Sequence, residues 1–306
     1  MASYIIRRLF WMAVTMFGIS AITFVLIFAG PVDPARALVG GKSQAATIEA
    51  VRERFGLDDP IHIQYIRYMS GLLRGDLGKS FYYNQPVLEA LRERAPATAQ
   101  LALFTVLLIV LLGIPAGTIA ALRANSLIDR AIIVFGMLSI SLPTFFIGLL
   151  LMYVFGFRLR LLPCGGYGGL SHFVLPAISV AVPWAAWYAM ILRANMLDIV
   201  SADYVRTAYS KGLTERAVVI GHILRNAILP VLTMLGMDTV ALLTGLALVE
   251  YIFSWPGIGW LTVQAAQHYD VPMIMGSVLF AALLMQGANL LVDVAYTWFD
   301  PRVQLG

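Results

Sequence analysis

Residues 193–230 read RANMLDIVSADYVRTAYSKGLTERAVVIGHILRNAILP, a polar island between two long apolar runs. Within it Val205, Ala208, Tyr209 and Gly212 fall at i, i+3, i+4 and i+7, while Arg206, Ser210, Lys211 and Thr214 point elsewhere, so the spacing predicts a short amphipathic helix. Gly212 is its natural stop. A second helix is expected to place Ala217, Ile220, Gly221 and Leu224 on one side and His222, Arg225 and Asn226 on another, running into Pro230 at the start of the next apolar run. Small residues at Ala208 and Gly212 leave room for another protein's surface to approach the backbone. Read alone, such a helix lies at a membrane interface.

Outward from this island, six runs nearly free of charge occupy residues 9–29, 97–122, 131–157, 173–192, 228–249 and 271–292. Each has the length to cross about 30 Å of hydrocarbon as a helix. With 60% hydrophobic and 12% charged residues the chain is too apolar and too segmented for one soluble core. It also lacks the alternation of a transmembrane barrel. The expected fold is all-α, a polytopic membrane bundle of six transmembrane helices. Basic residues orient it: Arg7 and Arg8 precede the first run, Arg123 and Arg130 bracket the turn after the second, and Arg193, Arg206, Lys211, Arg216 and Arg225 follow the fourth. These share one side if the runs alternate, whereas 250–270 holds no Lys or Arg. Both termini are therefore expected in the cytoplasm. The net charge of +4 reflects this topology, and a nucleic-acid surface has no support.

The first run is longer than a signal-peptide core, and no small-x-small cleavage site follows before Pro31, so a retained span is expected. Cys164 is the single cysteine, and His62, His172, His222 and His268 lie in four separate segments, so no metal site is assigned. Residues 30–96 carry mixed charges and helical patterns near 45–55 and 61–73, as expected of a small water-exposed segment. Its string Gly75-Asp76-Leu77-Gly78-Lys79-Ser80 ends like a phosphate-binding loop. Leu73 stands where that loop requires its first glycine, so nucleotide binding is not expected. No catalytic residue is assigned either, because paired carboxylates, a metal-binding helix motif and a nucleophile–base pair are all missing at any one depth.

Ionisable groups inside spans are costly, which makes each a functional candidate. Asp238 lies near the middle of the fifth run, and Asn289 and Asp293 lie in the sixth. Asp238 either lines a pathway, meeting a cationic group such as a peptide's amino terminus, or hydrogen-bonds a partner helix. Trp184, Trp187 and Tyr188, beside Pro183, either line a cavity or pack, and Ser139, Ser141, Pro143, Thr144 and Gly148 read as close helix contacts. Glu250-Tyr251-Ile252-Phe253-Ser254-Trp255-Pro256-Gly257-Ile258-Gly259 is a Pro-Gly reversal with aromatic anchors Tyr251, Phe253, Trp255 and Trp260. It is either a re-entrant gate, carried by Glu250, Trp255, Pro256 and Gly257, or an ordinary aromatic belt and turn. An ion-coupled secondary transporter using Asp238 and Asp293 is the alternative function. It calls for internal repeats, of which none is evident, and for broken helices, for which Pro115, Pro143, Pro176 and Pro183 are placed.

The island resembles the cytoplasmic coupling loop of ABC importer permeases: Arg206-Thr207-Ala208 stand at the Glu-Ala-Ala positions, Gly212 at the glycine and Leu229-Pro230 at the Leu-Pro. The longer gap from glycine to proline is similar to the peptide and nickel subfamily. So are FGLDDPIHIQYIRYMSGLLRGDLGKSF at 55–81, Pro31-Val32-Asp33-Pro34 with Val32 replacing a glycine, the 250–259 string, Asn289–Asp293 and Asp300-Pro301-Arg302. The resemblance implies a type I ABC importer permease fold with an extracytoplasmic insertion after the first helix. Its parts are a first helix at 1–29, the insertion at 30–96, a permease core at 97–298 with a coupling loop at 193–227, and a cytoplasmic tail at 299–306.

The resemblance further implies a bacterial inner-membrane subunit that is not itself an enzyme, working by alternating access. Asp203, Tyr204, Arg206, Ala208, Tyr209, Lys211, Gly212 and Leu213 would carry the ATPase contact, and Asp238 and Trp184 are candidates for the pathway. The implied partners are a second homologous permease, two ABC ATPase subunits that are identical or different and bind ATP and Mg2+, an extracytoplasmic solute-binding protein and the bilayer. Peptides are the implied cargo, with glutathione, a nickel complex, an opine or an oligosaccharide as alternatives.

Overall fold

A chain in hydrocarbon must satisfy its backbone hydrogen bonds within itself, which leaves helices as the economical solution for a sequence of this composition. The computed structural model describes residues 2–28, 35, 48–50, 52, 53, 56 and 58–299. The Pro31–Pro34 and Asp300–Arg302 strings lie outside the described residues, and of the pattern at 45–55 only 48–50, 52 and 53 are described, all helical. Among the described residues five helices are long and apolar enough to span a membrane, and a sixth span arises if one sharply bent pair is counted. The fold is all-α and polytopic, with an isolated bridge between Lys79 and Pro86 as the extended pairing seen among these residues.

By their internal packing the residues form two compact units, Met1–Thr98 with Pro256–Gly306, and Ala99–Trp255. In the first, α1 (Ala2–Phe28) is followed by α2 (Ile61–Leu73), and after the 250–259 string come α11 (Ile258–Gln267) and α12 (Val271–Phe299). Leu77, Val87, Leu91, Ile258, Leu261 and Met273 form one core, and Phe24, Val271 and Met275 form a second against Tyr65, Tyr68 and Phe81. The lookalike of a phosphate loop does hold an anion, and that anion belongs to the chain. The fully buried carboxylate of Asp270 accepts from the Ser80 hydroxyl, from Phe81 N–H at 3.0 Å and from Tyr82 N–H at 3.2 Å. Its Oδ1 also accepts from Met273 N–H at 3.4 Å, as a cap on the first turn of α12.

Helix α3 (Val87–Leu122) enters both units and starts ten residues before the expected span; its 36 residues extend about 54 Å, well beyond the hydrocarbon thickness. The second unit continues through α4 (Leu127–Ser141), α5 (Thr144–Leu151) and a π-helical turn Met152–Arg158. The expected single span at 131–157 is therefore corrected: it bends by 104° between α4 and α5. Leu142, forced towards extended backbone by the ring of Pro143, adopts φ −93° and ψ 137°. Pro176 and Pro183, by contrast, sit inside the unbroken α6 (Leu170–Val200), which continues past its expected end at 192.

Helix α6 is the axle of this unit and packs on α4 and α5. It approaches α3 through small residues: a Cβ added at Gly113 or Gly117 would lie 2.9 Å from the carbonyl oxygen of Ala185 or 2.6 Å from that of Ala189. Two four-residue repeats of small side chains thus face each other, which substitutes close backbone packing for a hydrophobic drive that lipid does not supply. After α7 (Asp203–Ser210), α8 (Glu215–Val218) passes through a π-helical turn Val219–Leu224 straight into α9 (Arg225–Gly245), and α10 (Ala247–Ile252) ends the unit. Pro230, expected to open the next span, lies inside a helix that is already continuous before it.

Candidate functional site

Helix α7 is a largely exposed helix of the polar island. Asp203 sits in its first turn, where a negative charge suits the helix dipole, and lies 3.9 Å from Arg206 in an exposed pair that adds little stability. Lys211 N–H closes on Thr207 O at 3.1 Å and Gly212 N–H on Tyr209 O at 2.9 Å, and Gly212 leaves with φ +79°. That left-handed conformation is where glycine avoids the steric cost of a Cβ. Val205 and Ala208 are buried, 1% and 4% exposed, and the helix rests on α8 and the following π-helical turn. Asn226 Nδ2 donates to Tyr204 Oη at 3.4 Å.

The packed face is narrower than the sequence implies. Tyr209 stays 45% exposed and Gly212 lies open, because α7 ends at Ser210 and the chain turns away before a second turn can pack. Ala208 faces its own chain and is unavailable to another protein's surface, contrary to the expectation from its small size. In the following helix the buried residues are Val218, Val219, Ile223 and Ala227, with Ala217, Ile220 and Gly221 exposed. The buried face is offset from the predicted positions from the start, with Val218 in place of Ala217 ahead of the π-helical turn. What α7 and the turn after it present outward is Tyr204, Arg206, Tyr209, Lys211 and Leu213, aromatic and aliphatic surface interleaved with cations. An apolar patch rimmed by charge is the signature of a protein-binding surface.

A second feature of the same unit brings Asp238 and Trp184 together. They line one cleft of about 490 Å³ with Ile140, Leu142, Thr144, Pro183, Trp187 and Met234. Tyr188, itself buried, donates from its hydroxyl to Asp238 Oδ2 at 2.7 Å, and its ring stacks near Trp184 with centroids 6.3 Å apart. The cleft borders the bend between α4 and α5. The sequence marks Asp238, Trp184 and Tyr188 singly but not their meeting point, since 50 residues separate the hydrogen-bonded pair.

The remaining candidates lie elsewhere. Glu250 and Trp255 are both 0% exposed, Pro256 is half-buried and Gly257 caps the start of α11. Trp255 packs edge-on against Phe173 at 4.6 Å and Tyr167 at 4.9 Å. Phe253 is fully buried too, so the expectation of Phe253 and Trp255 as surface anchors is corrected: both rings lie inside, flanking Ser254 at φ +50°. Gly166 N–H donates to Phe253 O at 2.7 Å, and a Cβ on Gly165 would stand 2.5 Å from the same oxygen. Of Asp293 only the backbone, in α12, is described.

One pair escaped the sequence reading. Arg193 donates from Nε to Asp129 Oδ1 at 2.5 Å and from a terminal nitrogen to Oδ2 at 2.7 Å, tying the start of α4 to α6 by a bidentate bridge. Asn125 N–H at 2.7 Å completes the carboxylate, and Ser126 Oγ accepts from Asp129 N–H. The Ser-x-x-Asp spacing at the head of α4 was the available signal.

A family model described as the binding-protein-dependent transport system inner membrane component matches residues 113–305, and a model of that system's N-terminal membrane component matches residues 1–102. The chain is 36% identical to the probable peptide ABC transporter permease protein y4tP of Sinorhizobium fredii, over 99% of this chain and 100% of that protein. It is 38% identical to the glutathione transport system permease protein GsiC of Escherichia coli, over 99% of each. The crystal structure of an amino acid ABC transporter with histidines aligns with a TM-score of 0.53 at 17% identity, covering 68% of this chain and 93% of that one, a likeness of fold.

Proposed function

The chain belongs to the family of binding-protein-dependent transport system inner membrane components, the permeases of ABC importers, and from that premise we propose that it carries peptides across the bacterial inner membrane. In this reading it forms half of a translocation pathway with a second homologous permease. Two ATPase subunits, which bind ATP and Mg2+, dock on the cytoplasmic side, and an extracytoplasmic binding protein delivers the solute. Both termini lie in the cytoplasm and the segment after α1 lies outside. The names of two relatives, one a peptide and one a glutathione permease, support a peptide-like cargo.

The observation that carries the proposal is α7: an exposed helix, anchored by Val205 and Ala208, closed by a left-handed Gly212 and presenting Tyr204, Tyr209, Lys211 and Leu213. Asp203 and Arg206 complete that face. Closure of the ATPase pair pushes on α7, and the bundle exchanges an inward-facing for an outward-facing cavity. Coupling requires that the ATPases contact the two states differently. Gly212→Glu tests this in the reconstituted complex. Nothing lies within 4 Å of an added Cβ, so the backbone and the docking face are disturbed and the interior is not. Membrane insertion is expected to persist while ATPase assembly or solute-stimulated ATP hydrolysis is lost; normal stimulated hydrolysis sinks the assignment.

A further inference from the structure

We propose that the cleft beside Asp238 is a subsite for the ammonium end of the transported solute, an assignment that rests on the permease reading and names the chemistry its pathway recognises. Asp238 is a partly buried carboxylate on a spanning helix, a costly placement unless its oxygens are satisfied. Tyr188 supplies one donor, to Oδ2, and no described residue donates to Oδ1. A ligand N–H is the missing partner.

Two further features of the cleft suit a cation. Trp184 and Trp187 line it, and indole faces attract ammonium groups. The bend at Leu142–Pro143 interrupts the α4 hydrogen-bond ladder: Pro143 has no N–H for the Ser139 carbonyl, and Leu142 N–H reaches Ser139 O at 3.4 Å instead. The end of α4 beside the cleft therefore offers carbonyl oxygens, while α5 starts at Thr144 on the same cleft, so the two helix poles largely offset each other and the carbonyls act as local acceptors. Broken spanning helices place such ends at ion and substrate sites. The cleft volume of about 490 Å³ admits the first residue of a peptide but is unsuited to a fully charged anion facing Asp238.

The test uses the whole complex, this chain with its second permease and ATPases, in nanodiscs without binding protein. Radiolabelled dialanine is bound at equilibrium and displaced by unlabelled dialanine or by N-acetyl-dialanine, which lacks the ammonium. Dialanine is expected to compete at least about tenfold better than its acetylated form. The discrimination should vanish in Asp238→Asn, weaken in Trp184→Leu and survive in Tyr188→Phe, which keeps the carboxylate. Equal competition in the wild type, no saturable binding, or unchanged discrimination in Asp238→Asn overturns the proposal. So does an equal loss of thermal stability in Asp238→Asn and Tyr188→Phe with discrimination intact, the mark of a purely structural hydrogen bond. Binding-protein-stimulated ATP hydrolysis is measured in the same nanodiscs: if it persists without amine selectivity, only the subsite falls, and if it is absent the permease reading falls as well.

Discussion

Arg193 opens the polar island, and its charge counts in the sequence as one more sign of sidedness. In the folded chain its partner is Asp129, 64 residues earlier, and the two carboxylate oxygens are shared between the guanidinium, Asn125 N–H and the turn before α4. A bidentate pair with a side-chain exposure of 2% for the acid and 21% for the base is worth less for net stability than for the position it fixes. Removing one member leaves the other without its counter-charge, so Asp129→Ala and Arg193→Ala are each expected to lower thermal stability in detergent. The double variant should lose less than the sum, with a coupling of about 0.5–3 kcal/mol. Additive losses would mean that the bridge carries no energy. The sequence shows the ingredients of such contacts, a Ser-x-x-Asp cap, a lone carboxylate in an apolar run and a buried Trp in an aromatic string. It does not show their pairing, because nothing local links Asp129 to Arg193 or Tyr188 to Asp238.

At the scale of helices the reading was sound wherever lipid dictates the answer. A span must be long and apolar, so the positions of α1, α3, α6, α9 and α12 follow from composition, with ends that differ by up to about ten residues because amphipathic turns extend past the hydrocarbon. Departures from regular helix were legible only in part. Pro143 bends a span whereas Pro176, Pro183 and Pro230 lie inside continuous helices, so a proline in a span does not by itself mark a break. The π-helical turn at 219–224 has no sequence mark. The facing small residues of α3 and α6 give a direct test. Gly117→Leu puts a branched side chain where even a Cβ would be 2.6 Å from Ala189 O and 3.0 Å from its Cα. Forced separation of the two helices should destabilise the chain by at least about 1–3 kcal/mol, read as an earlier thermal transition by cysteine-accessibility melting. Gly221→Leu, at a position with open space, serves as the control expected to leave that transition in place.

For the molecule as a whole, function requires that an event at α7 be felt in the membrane. If α7 is the ATPase contact, Lys211→Cys and Leu213→Cys on its exposed side should cross-link to an ATPase subunit, and the yield should change when ATP is bound without hydrolysis. Val205→Cys, facing inward at 1% exposure, should not cross-link. Equal labelling of all three would remove α7 from the interface.

The unbroken run from Glu215 to Gly245 bears on how such a push travels. At its near end it is the seat of α7, and 17 residues beyond Gly221, about 26 Å along the same axis, it carries Asp238. Seat and carboxylate are thus two points on one rod. A tilt of ten degrees would swing Asp238 by roughly 4–5 Å relative to the seat, enough to take it in or out of reach of Tyr188 and a bound ligand. Pro230 lies between them and denies the Asn226 carbonyl its helical donor, so the rod has a compliant point along its length, where stroke can be lost or redirected.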